Sequence, residues 1–188
     1  MPLRRLLPLV ALLALACRHE SELPKLFPVP NAKLVTEAGA PVQLDQFKGY
    51  VTVYDFIFTN CAGTCPLMSR TMQLVTKKID PAAKVRFVSI SVDPTRDTPA
   101  VLSEYAKRVR KDDRWYFLTG DRNAIVRLSV DGFKLAAADP QPGGEALLHS
   151  SKFAVADKSG MIRDYYGATS DDAVEHVATV VNELVREP

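Results

Sequence analysis

The apolar residues of this chain fall into two alternating patterns. Val51–Phe58, VTVYDFIF, is a nearly continuous β-branched and aromatic run, as in a strand buried on both faces. Asp55 interrupts it, and a carboxylate there is expected to be satisfied at the strand's end. From Pro66 the period changes. Met68, Met72, Val75 and Ile79 recur at helical spacing, and methionine at that spacing reads as core filler. Val85–Val92, VRFVSISV, is a second buried strand. Thr98-Pro99 then supplies an N-cap and a first-turn proline for a helix ending near Arg110. Trp115–Leu118 is a short strand, and Asp121 caps a short helix that runs through Val130 and stops at Gly132. Lys152–Ala156 and Met161–Tyr165 flank Asp157-Lys158-Ser159-Gly160, a hairpin signal. Ser170 begins a last helix, with Val174, Val177, Val181 and Leu184 as its buried stripe and His176 off that stripe, in solvent. Upstream, Ala32–Val35 and Val42–Leu44 flank a turn and read as an N-terminal β-hairpin.

This order predicts an α/β fold, with a central mixed β-sheet flanked by helices and entered through the hairpin. Strand–helix alternation that ends on an antiparallel hairpin and a helix is the outline of a thioredoxin-like fold. One domain over residues 32–188 accounts for all these elements.

The start of the chain reads as an address. Arg4 and Arg5 precede the apolar run Leu6–Leu15, and Ala14-Leu15-Ala16 is a small-x-small cleavage signal. The run is too short to span a bilayer, which takes about 20 residues. Residues 1–16 are therefore expected to be a signal peptide. Cys17 follows directly, and the arrangement resembles a bacterial lipoprotein signal in which Cys17 is acylated. The expected location is extracytoplasmic (the periplasm or the outer face of the cell membrane), with a lipid anchor holding the protein at the membrane. Residues 17–31, with Pro24, Pro28 and Pro30, look like a tether.

Composition narrows the class of function without naming it. Of 188 residues, 24 are Lys or Arg and 22 are Asp or Glu, a net charge of +2 that vanishes without Arg4 and Arg5. So balanced a domain has no electrostatic footprint for nucleic acid. Three cysteines are too few for a disulfide scaffold.

The informative stretch is Phe58-Thr59-Asn60-Cys61-Ala62-Gly63-Thr64-Cys65-Pro66. It sits where the first buried strand gives way to a helix, the end of an open sheet at which sites form. Cys65 is expected near the helix N-cap, with Pro66 at the first helical position, so that the helix dipole lowers the Cys65 thiol pKa. Cys61 and Cys65 lie four positions apart. Such a pair can form a disulfide, exchange electrons with other thiols, or hold a soft metal ion. A structural disulfide closing so small a loop would add little stability. A third candidate is His149, in Leu147-Leu148-His149-Ser150-Ser151, just before the strand that begins at Lys152. Asp93, in Val92-Asp93-Pro94, could orient the site or shape a turn.

FTNCAGTCPLMSRTM, VSISVDPTRDTP and LLHSSKFAVADKSG together resemble the Sco/SenC family over about Lys33 to Leu184. The resemblance implies a membrane-associated thioredoxin-like domain with Cys61, Cys65 and His149 as copper ligands, one copper per chain. It also implies a part in assembling the dinuclear copper site of cytochrome c oxidase, as a copper chaperone rather than an enzyme that turns over. The partners implied are the copper-acceptor subunit of the oxidase and other periplasmic copper chaperones or thiol reductants. The donor set agrees with copper: two thiolates select Cu(I), and an imidazole also admits Cu(II). The alternative is a thiol–disulfide oxidoreductase that uses Cys61 and Cys65 to reduce cysteines of the apo-oxidase subunit. A peroxiredoxin-type peroxidase is disfavoured, because the Thr needed three residues before the attacking cysteine is replaced by Phe58 or Ala62.

Overall fold

The computed structural model of the protein describes residues 20–135 and 150–188. The expected signal peptide, Cys17 and His149 lie outside the described residues. The chain forms β1 (Lys33–Thr36), β2 (Pro41–Gln43), β3 (Val51–Ile57), α1 (Thr64–Lys78), β4 (Val85–Ser91), α2 (Pro99–Val109), β5 (Trp115–Thr119), α3 (Arg122–Arg127), β6 (Lys152–Ala156), β7 (Ile162–Gly167) and α4 (Ala173–Arg186). The strands form one seven-stranded sheet in the order β2-β1-β5-β4-β3-β6-β7. β3, β4 and β5 are parallel, while the N-terminal hairpin and β6–β7 add antiparallel edges.

Each face of the sheet buries its own core. Val51, Val53 and Ile57 of β3 point to one face, where Met68, Met72 and Val75 of α1, Leu102 and Tyr105 of α2, and Val177, Val181 and Leu184 of α4 cover them. Tyr54 and Phe56 point to the other, covered by Phe47, by Ile125 of α3 and by Leu128 and Phe133. The alternation along one strand is the pleat, with period two. Thr98 caps α2 by accepting from the Val101 N–H, and Asp121 caps α3 by accepting from the Ala124 N–H, as their positions predict. The helix expected to run to Val130 instead ends at Arg127 and passes into a π-turn over Leu128–Gly132. Gly132 lies against Pro30, whose ring carbon would be 2.5 Å from an added Cβ.

Three local expectations are corrected. Ser170 does not cap α4, whose N-cap is Asp172. His176 is half-buried, with its Nε2 2.8 Å from Asp164 and its ring stacked on Tyr166 at 3.7 Å between centroids. A lone position off the apolar stripe conceals such a polar and aromatic contact with β7. Residues Ser21 to Val29 are no free tether, because they lie along the β6–β7 hairpin. Leu26 N–H donates to Ile162 O, Ile162 N–H to Phe27 O, and Val29 N–H to Gly160 O.

Arg163 fastens this N-terminal segment. Its side chain is 1% exposed. It pairs with Asp157 at 2.9 Å and Glu187 at 3.0 Å, and it donates to the carbonyls of Leu23 and Pro24 and to Ser21 Oγ. Breaking a buried pair strands the remaining charge. Arg163→Ala is therefore expected to cost about 3–5 kcal/mol in urea denaturation. A loss below about 1 kcal/mol would mean that the cluster behaves as a surface ion pair.

Candidate metal centre

β3 and β4 run parallel and in register from Val51↔Val85 to Ile57↔Ser91. They end together, so the loop that leaves β3 meets the loop that leaves β4. The first loop carries Cys61 and leads into α1 at Thr64, with Gly63 as the N-cap. Cys65 is the second residue of the helix, two positions deeper than the N-cap place its sequence predicts. Both cysteines are free thiols, Cys61 half-buried and Cys65 buried.

The two thiols perturb each other's ionisation, and their electrostatics differ. Burial pushes the Cys61 thiol up, but the donors around it outweigh that and hold its pKa below the ordinary value. Those donors are the Cys65 N–H, the Cys65 thiol, and the Gly63 and Thr64 N–H groups. Free N–H groups in the first turn of a helix favour a thiolate. Cys65 goes the other way. Burial pushes its thiol up to about 12, against a lowering by the Phe58 N–H, and the neighbouring Cys61 and the Asp55 carboxylate add to the rise. The expectation that the helix dipole makes Cys65 the acidic thiol is thus overturned. The dipole acts on Cys61, which lies in front of the helix, whereas Cys65 has been carried into the core.

Asp55 lies beneath this pair. It is fully buried in mid-strand on the face of β3 that Cys65 also faces, and not at the strand's end. Neither carboxylate oxygen has a hydrogen-bond partner among the described residues. Burial raises its pKa from 3.8 to about 7. Ser89, opposite it on β4, offsets part of that rise without reaching hydrogen-bond geometry. Ser89 Oγ instead accepts from Trp115 Nε1 at 2.9 Å. A second polar pair in the same core joins Ser69 Oγ and Tyr105 Oη at 2.8 Å.

Asp93 is buried in the β4 loop, where its carboxylate is 3.3 Å from Arg96. Its carbonyl accepts from the Arg96 and Asp97 N–H groups, so it shapes the turn. The residue that reaches the cysteine loop is Asp97. Its carboxylate accepts from the Thr59 N–H at 3.0 Å and the Thr59 hydroxyl at 2.5 Å. Sequence spacing gives no signal for a bond across 38 positions. On the other side of β3, β6 pairs antiparallel with it, Tyr54 opposite Ala154 and Thr52 opposite Ala156. The start of β6 therefore lies at the end of the sheet where β3 meets the cysteine loop. Among the described residues no third Cys, His, Asp or Glu completes a metal-ligating group with the two thiols.

The SCO1/SenC family model matches residues 29–186. The chain belongs to the SCO1/SenC family. A SCO1 protein homolog of Bacillus subtilis is 35% identical over 146 residues, 74% of this chain and 75% of the relative. The crystal structure of a SCO1/SenC family lipoprotein from Bacillus anthracis superposes with a TM-score of 0.75 at 29% identity, covering 84% of this chain and 95% of that one. BsSco, described as a Sco cytochrome c oxidase assembly protein with a disulfide switch, superposes at 0.72 with 30% identity, covering 85% and 94%. The fold of this SCO1/SenC chain is thioredoxin-like, as the order of its elements predicts. No helix among the described residues is long and apolar enough to cross a membrane.

Two predictions follow from the site. Cys61 should be alkylated by iodoacetamide near neutral pH well before Cys65, as read by peptide mass mapping; faster labelling of Cys65 would contradict the order of acidity. The second concerns Asp55. The unfolded carboxyl ionises near 3.8 and the folded one near 7, so the folded state holds the extra proton in between. Its contribution should lower stability as pH rises through that window, by about 4 kcal/mol in all. Asp55→Asn should remove this slope in denaturation curves recorded from about pH 4 to pH 8. Parallel wild-type and mutant curves would show that Asp55 ionises normally.

Proposed function

We propose that this protein is a copper-binding assembly factor that holds one copper ion through Cys61, Cys65 and His149 and helps to metallate the dinuclear copper site of cytochrome c oxidase. The observation that carries the reading is the pair of free thiols at the start of α1, each perturbing the other's ionisation, in a SCO1/SenC chain. A paired soft donor set suits Cu(I), and an imidazole would extend it to Cu(II). His149 directly precedes Ser150 and the start of β6, and β6 pairs with β3, which leads into the cysteine loop. A three-ligand site leaves an open edge at which the ligands of an acceptor could attack before the donor releases its cargo. Relatives named for copper support the same reading, among them a protein of Stutzerimonas stutzeri at 28% identity.

In this reading residues 1–16 are removed, an acylated Cys17 anchors the protein outside the cytoplasm, and residues 32–188 form the copper-handling domain. The oxidase subunit that accepts copper is the principal partner, and other chaperones or thiol reductants act before it.

One observation favours a second reading, in which the same pair is a thiol–disulfide reductant for the oxidase subunit. A half-exposed acidic thiol beside a buried, less acidic one suits a nucleophile and its resolving partner.

Titration of the reduced protein with Cu(I) against a competing chelator separates the two. Wild type is expected to bind one equivalent. Cys61→Ser and Cys65→Ser should lose that binding. His149→Ala should weaken it by more than the roughly 10- to 100-fold that loss of an outer-shell partner costs, while keeping its disulfide reactivity. Equal copper affinity in wild type and His149→Ala would remove the imidazole from the site. Absence of 1:1 binding in the wild type would leave the reductase reading.

A further inference from the structure

The loop that carries Cys61 is held by a carboxylate that is no metal ligand. Asp97 follows β4 and is 1% exposed. Its Oδ2 accepts from the Thr59 N–H at 3.0 Å and from Ser91 Oγ at 2.6 Å, and its Oδ1 accepts from Thr59 Oγ1 at 2.5 Å. All three donors are neutral. Ser91 is the last residue of β4, and its Oγ in turn accepts from the Asp93 N–H at 3.0 Å. The carboxylate is therefore tied to the sheet on one side and to the cysteine loop on the other.

The Thr59 N–H belongs to the same peptide unit as the Phe58 carbonyl, and that carbonyl accepts from the Cys61 N–H at 3.3 Å. The next peptide group back carries the Phe58 N–H, and Phe58 packs against the core cluster that holds Cys65. A planar peptide cannot turn at one end without turning at the other. Fixing the Thr59 N–H thus fixes the carbonyl that orients Cys61 and restrains the Phe58 segment that packs beside Cys65. Bonds to an ionised acceptor are about twice as strong as neutral ones, which suits a carboxylate to this task. Burying it without partners would be costly, and the three donors meet that cost.

We propose that Asp97 is a positioning residue for the dithiol: through the Phe58–Thr59 peptide it sets the relative placement of Cys61 and Cys65, and with it the affinity of the pair for a soft metal ion and its tendency to close into a disulfide. The metal half of this inference rests on the copper reading. The disulfide half does not.

The test uses Asp97→Ala, Asp97→Asn and Thr59→Val, with two readouts. The first is Cu(I) affinity by chelator competition, and the second is the equilibrium of the Cys61–Cys65 pair with reduced and oxidised glutathione. Asp97→Ala removes all three bonds. It is expected to lower Cu(I) affinity about 10- to 100-fold and to make the disulfide about tenfold less favoured against glutathione. Asp97→Asn keeps an oxygen for the Thr59 N–H and should recover most of both values. Thr59→Val loses only the hydroxyl bond and should shift both by about threefold, near the size of one modest hydrogen bond. Ile125→Ala, in the core on the opposite face of the sheet, controls for stability: it should lower the melting temperature and leave both readouts at wild-type values. The proposal is overturned if Asp97→Ala and Thr59→Val melt earlier yet match wild type in both readouts. If Asp97→Ala does not fold, Thr59→Val decides, and wild-type values of both readouts in that variant overturn the proposal equally. If wild type binds no Cu(I), the copper reading fails and the glutathione equilibrium alone decides for or against Asp97.

Discussion

The parallel pairing of β3 with β4 is the constraint on which the site depends. Seven residue pairs in unbroken register end both strands at one edge of the sheet. Only because they end together can a carboxylate on the second loop reach a backbone amide on the first. The hydrophobic run that buries β3 on both faces thereby also fixes where the cysteines lie. Packing on either face resists sliding, because a shift of one residue would turn Val53 and Tyr54 to the wrong cores.

From that edge inward the polarity falls steeply, and the two sulfurs lie on different parts of the gradient. Cys61 meets the free N–H groups of a helix start, and Cys65 meets the core. The buried Asp55 carboxyl beneath them adds a second reason against negative charge at Cys65. Ionising both thiols together is therefore unfavourable without a compensating cation. A metal ion bound by the pair would supply that compensation and displace the proton as it binds, coupling loading to proton release. Without metal, Cys65 stays protonated while Cys61 is the more acidic of the two.

Much of this is legible in the sequence. Strand and helix periods give β3, α1, β4, α2, β5, the β6–β7 hairpin and α4 within a few residues, because burial leaves a repeating mark on each. The cysteine pair is legible because its residue types are chemically distinctive and its loop sits at a strand-to-helix junction. The relative acidity of the thiols is not. It turns on how deep one helical position lies, and a shift of two residues into α1 reverses the outcome. Asp97 and Asp55 escape for a similar reason. An acidic residue in a loop reads as a turn, and one in a strand reads as an end, until its three-dimensional neighbours are known. The packing of Ser21–Val29 on Arg163 is hidden by prolines that read equally well as a tether.

X-ray absorption at the copper edge of the copper-loaded protein tests the central claim most directly. Two sulfur scatterers and one imidazole nitrogen at the metal are the expected result for the wild type, with sulfur lost in stages as Cys61 and Cys65 are replaced. A copper ion surrounded only by nitrogen and oxygen, with the thiols still free to react, would contradict it.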